Sequence, residues 1–77
     1  MDKEKKNTIL TNFGKQLRLV RLAKGFTQEQ LANELGVEIS QISRIERGVI
    51  NTSVTTLYSI SKVLNTTISE LFVFDNE

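Results

Sequence analysis

Ser40, Gln41, Ser43, Arg44 and Arg47 crowd polar hydrogen-bonding groups into eight residues. A glutamine amide offers a donor and an acceptor in one plane, which matches the N6 and N7 edge of adenine. An arginine fork matches guanine O6 and N7 in the same way. Serine hydroxyls and a second guanidinium suit phosphate oxygens. Ile39, just before them, is the kind of side chain that touches a thymine methyl. The set is built for binding rather than for bond making. The chain has no histidine and no cysteine, which removes the commonest general base and the usual zinc ligands. Ser43 has no partner that would activate it, and no paired carboxylates stand out.

Residues 27–48, TQEQLANELGVEISQISRIERG, contain the elements that must present these groups. Thr27 can cap a helix start, and Gln30 three positions later can return a bond to the cap's own amide. Leu31 and Leu35 recur on one face at helical spacing, while Glu29, Asn33 and Glu34 face solvent. Ala32 stands where two helices approach most closely. Gly36 suits the left-handed residue that ends a helix. Val37, Ile42 and Ile45 then form the inner face of a second helix, which Gly48 closes. This is the layout of a helix-turn-helix, whose second helix lies in the major groove of DNA.

The remaining sequence supplies the body. Five helices are expected, at about 8–24, 28–35, 39–47, 54–64 and 68–72, making the chain all-α. Phe13, Leu17 and Val20 form the core stripe of the first, with Gly25 as its stop, and the charged DKEKK before it is expected to fray. Ser53 caps the fourth, which buries Leu57, Ile60, Val63 and Leu64. Thr67 and Glu70 form a second capping-box pair. Seventy-seven residues make one small domain, burying roughly 60% of its unfolded surface. The net charge is only +1, yet residues 13–50 hold six basic against four acidic side chains, and residues 70–77 hold three acids and no base. That asymmetry leaves a field favourable to phosphates. Neither a long apolar run nor a signal-peptide pattern is present, so a soluble cytoplasmic protein is expected.

Three segments, KGFTQEQLA at 24–32, LGV at 35–37 and ISRIERG at 42–48, resemble the XRE-type (Cro and phage-repressor-type) helix-turn-helix family. The resemblance extends over about residues 13–72. It implies a five-helix, lambda-repressor-like DNA-binding domain at 13–72. A short charged extension and the start of helix 1 (1–12) precede it, and an acidic tail (73–77) follows. It also implies that Ile39, Ser40, Gln41 and Arg44 face base edges, Ser40 in part through water. A phosphate would sit at the start of the second helix, on its free amides and Gln28, with Thr27 assisting. Ser43, Arg47 and Asn51, in the loop 48–51, would grip other phosphates. Arg21 and Glu46 would form an ion pair tying the recognition helix to the first. Lys15, Arg18 and Lys24 are left as solvated surface. Two positions depart from the family pattern. Glu38 replaces a common serine or threonine before the recognition helix, where its carboxylate can cap amides or instead accept from cytosine N4, and Thr52 replaces a frequent proline.

The function so implied is a sequence-specific, double-stranded DNA-binding transcriptional regulator. It would be a homodimer on a pseudo-palindromic operator, with recognition helices about 34 Å apart. Cro-like repressors and the controller proteins of restriction-modification operons are similar. The alternative is an antitoxin or adaptor-type protein-interaction module using the same fold. Phe72, Val73 and Phe74 either fold back on the first helix beside Leu19 or Leu22 or meet a second subunit; the second is preferred. No enzyme activity, cofactor, metal or small-molecule ligand is expected, and no membrane association.

Overall fold

The computed structural model describes residues 2–74. Among these the chain forms α1 (Lys3–Ala23), α2 (Gln28–Leu35), α3 (Ile39–Arg47), α4 (Val54–Val63) and a 3₁₀ turn at Ser69–Phe72. The acidic residues 75 and 77 of the expected tail lie outside the described residues.

Four helix ends close in the same way. The amides of Phe26, Val37, Val49 and Thr66 bond back to the carbonyls of Arg21, Ala32, Arg44 and Ser61, at 2.9–3.1 Å. Each closure needs a left-handed residue before the returning amide. Gly25, Gly36, Gly48 and Asn65 take that place, with φ of 83°, 73°, 75° and 53°. Asparagine is among the few other residues that tolerate this conformation.

Helix starts are capped as locally. Asp2, Thr27 and Ser53 accept from the amides three residues on, at 2.8, 3.0 and 3.1 Å. Thr27 and Gln30 complete the reciprocal box. Thr67 and Glu70 do the same before the last turn.

Two expectations require correction. The first helix starts at Lys3, not Thr8, because Asp2 caps it; DKEKK is its cap and first turn rather than a frayed arm. At about 1.5 Å per residue, its 21 residues account for the 33 Å long axis of the domain. The fifth element is a four-residue 3₁₀ turn and not an α-helix. So short a segment closes i→i+3 bonds more readily than a full α turn, as Leu71 to Ile68 shows.

Phe13, Leu17, Leu31, Ala32, Ile42, Ile45, Ile60, Leu64 and Leu71 make the core. At about 25 cal/mol per Å² of apolar surface removed from water, such side chains drive the assembly of helices too short to persist alone. Val20, Leu35, Val37, Leu57 and Val63, also expected inside, pack on its edge and stay half-buried.

Candidate nucleic-acid interface

Helix α3 is amphipathic in a way that divides its residues cleanly. Ile42, Ile45 and Glu46 are buried, while Ile39 (48% exposed), Ser40, Arg44 and Arg47 are exposed. Gln41 and Ser43 are half-buried. All six sequence-predicted α3 side chains are therefore at least partly accessible. Arg47 Nε donates to Ser43 Oγ at 3.3 Å, one helical turn away. Asn51 is exposed in the following loop.

The back of α3 is held by charge and by close backbone approach. Arg21 Nε and Nη2 donate to Glu46 Oε2 and Oε1 at 2.5 and 3.0 Å, with both side chains buried. Arg21 Nη1 donates to the Phe26 carbonyl at 2.8 Å. The forked geometry satisfies both carboxylate oxygens, the arrangement that makes a buried charge tolerable. Gln28 Nε2 also donates to Glu46 Oε1, at 2.9 Å. The glutamine expected on a phosphate thus ties the start of α2 to the end of α3. Its capping box leaves only the Gln28 and Glu29 amides of α2 without an intrahelical partner.

Gly14 and Gly48 were not assigned this packing role from sequence. A Cβ at Gly14 would lie 2.6 Å from the Ile45 carbonyl oxygen and closer still to that of Glu46. Only glycine lets α1 cross α3 at this distance. A glycine inside a helix pattern is the one signal available, since it costs about 1 kcal/mol against alanine unless packing demands it. At Gly48 a Cβ would meet the Thr11 backbone at 2.7 Å. The loop that follows the recognition helix is therefore seated against α1.

Glu38 is the N-cap residue of α3, is exposed, and makes no side-chain cap bond. Of the two roles open to its carboxylate, capping is thus not the one it takes. Lys24, expected as plain surface, donates to the Asn65 carbonyl at 3.2 Å, while Lys15 and Arg18 are exposed. Phe72 does fold back on α1, but onto Phe13, with ring centroids 5.1 Å apart. Leu19 and Leu22 remain 63% and 52% exposed. Phe74 packs 6.0 Å from Phe72 and is half-buried, and Val73 is 65% exposed.

Residues 17–71 match the profile of the HTH_3 helix-turn-helix family. The chain belongs to this helix-turn-helix family. An uncharacterized HTH-type transcriptional regulator from Archaeoglobus fulgidus is 40% identical over 62 residues, covering 80% of this chain and 89% of the relative. The control protein C.BamHI of Bacillus amyloliquefaciens is 39% identical over 69 residues, covering 88% and 85%. The crystal structure of the restriction-modification controller protein C.AhdI from Aeromonas hydrophila superposes with a TM-score of 0.78 at 38% identity. It covers 82% of this chain and 96% of that one. Some relatives are about twice as long, the chain spanning 51% of them. This helix-turn-helix protein is a DNA-binding transcriptional regulator of the XRE type. Among its described residues no helix is long and apolar enough to cross a membrane.

Proposed function

We propose that the chain acts in the cytoplasm as a homodimer on a pseudo-palindromic operator, by binding and without catalytic turnover. The observation that carries this reading is the division of α3. Its inner face is locked to α1 and α2 through Glu46, and its outer face leaves Ile39, Ser40, Gln41 and Arg44 free to meet base edges. In this reading Gln41 addresses adenine and Arg44 guanine. Ser43 and Arg47, already paired to each other, hold one phosphate, with Asn51 beside them on the same strand. Thr27 and the open amides of Gln28 and Glu29 hold another at the start of α2. The Gln28 side chain supports that site from Glu46, with one amide hydrogen left over.

A second subunit suits α4 and the C-terminal turn. Val54, Tyr58, Ile68 and Val73 are 78%, 55%, 38% and 65% exposed on α4 and the C-terminal turn. Phe72 and Phe74 would then back the contact from their place on Phe13. Two copies related by a two-fold axis place two recognition helices about one DNA turn apart.

Selection of duplexes from a random pool, followed by titration at several salt concentrations, tests the reading. An inverted repeat with half-sites about one turn apart is expected. Arg44→Ala should relax the preference at one base position, by about 1–3 kcal/mol of discrimination. Arg47→Ala should weaken all sequences alike and lower the salt slope by about 1. Failure of both variants to change DNA binding, with a protein partner copurifying instead, would favour a protein-interaction module.

A further inference from the structure

We infer that Glu38 is a specificity-determining residue, whose carboxylate accepts a hydrogen bond from a cytosine amino group at the mouth of the major groove. The inference rests on the DNA arrangement proposed above. Among the helix starts, α1, α2 and α4 each have an aspartate, threonine or serine oxygen on the amide three residues on. The start of α3 has a glutamate whose side chain makes no such bond. Serine, threonine, aspartate and asparagine are the residues that stabilise this position. A local rule broken in one helix and kept in its neighbours points to a role beyond folding.

The carboxylate is also free of other partners. It is exposed, and the one ion pair among the described residues is Arg21–Glu46. Neither Arg44 nor Arg47 neutralises it. Its backbone is fixed, because the Glu38 carbonyl accepts from the Gln41 amide at 3.0 Å. Glu38 is therefore held one residue before Ile39, at the entrance to the surface that Gln41 and Arg44 share.

An acceptor-only group brought to a DNA groove is repelled by phosphates and by the N7 and O6 edge of guanine. Its best counterpart among the base edges is cytosine N4, a donor on a base that itself presents no acceptor in the major groove. The same charge lowers affinity for every duplex that lacks cytosine there. Glu38 thus discriminates by attraction to one base and by repulsion from the rest.

The test uses the full chain with two variants, Glu38→Gln and Glu38→Ser, because serine restores a strong cap and keeps α3 folded. Each protein selects duplexes from a random pool and is then titrated on its selected site, on every single-base change, and on an unrelated duplex. The wild type should prefer cytosine about tenfold at one symmetric position in each half-site. Glu38→Ser should lose that preference and bind the unrelated duplex several-fold more tightly. Glu38→Gln should move the preference towards adenine, whose N6 and N7 match an amide. Unchanged base preference at every position in both variants overturns the inference and leaves the regulator reading intact. A wild type that selects no sequence at all overturns both.

Discussion

At its C-terminal end α3 is held to α1 and α2 by charge and close backbone approach, whereas towards its N-terminal end it is held by apolar packing of Ile42 and Val37. The Ile45 and Glu46 carbonyls lie against Gly14, Gly48 lies against Thr11, and Glu46 takes bonds from Arg21 and Gln28. At the other end Glu38 caps nothing and Ile39 is about half exposed. The difference separates two tasks along nine residues. The closed end fixes where the helix lies relative to the body. The open end carries the exposed side chains of Glu38, Ile39 and Ser40, so their identity can follow the bases they meet.

The largest way to break this contrast is Glu46→Ala. It leaves Arg21 buried without its carboxylate and should cost about 3–5 kcal/mol, seen as a large fall in melting temperature. The double change Arg21→Met with Glu46→Leu should recover most of that stability. DNA affinity should nevertheless stay low, because Gln28 has lost its link to α3. Gly14→Ala comes next. Its methyl meets two backbone carbonyls, so α1 and α3 must separate, at a cost of about 1–3 kcal/mol by denaturant titration. Base preference should survive in the folded fraction, since Gln41 and Arg44 remain on one face.

Phe72→Ala removes an aromatic contact on Phe13 and should cost about 1 kcal/mol. If the C-terminal turn backs the subunit interface, sedimentation should also show weaker association. At the open end the sign reverses. Glu38→Ser supplies the missing cap and should stabilise the fold by about 0.5–1 kcal/mol; a loss of stability would mean that Glu38 already serves α3 well.

The smallest effect concerns pH. The Thr66 hydroxyl and then the Thr67 amide donate to the Glu70 carboxylate and hold its pKa below the ordinary 4.5. A carboxylate depressed in the folded state adds stability above its unfolded pKa and loses it as pH falls through the folded value. The melting-temperature advantage of wild type over Glu70→Gln should therefore be constant near neutrality and shrink below about pH 4.5.

The helix-turn-helix itself was fully legible. The bounds of α2 and α3 agree with those read from sequence, because Thr27, Gln30, Gly36 and Gly48 each act on backbone groups a few residues away. The start of α1 was not legible, since KEKKN has no apolar period and only the Asp2 cap announces it. The place of the last element and its capping pair are legible, but four residues are too few to show whether the turn is α or 3₁₀. The Arg21–Glu46 pair was expected through family resemblance alone, and no spacing rule joins residues 25 apart. That Gln28 stands at a helix start is visible in the sequence, while its bond to a carboxylate 18 residues on is not.

The sequence by itself determined the bounds of α2 and α3, which face of each helix is apolar, and which polar groups α3 shows to solvent. These depend on bonds and periodicities within about one or two turns of chain. Only the tertiary structure decided that Gly14 is a crossing point, that Gln28 turns inward to Glu46, that Phe72 rests on Phe13, and that Glu38 is left without a partner. Each of those outcomes depends on which surfaces meet when separate helices bury their apolar faces together, and no local pattern encodes that meeting.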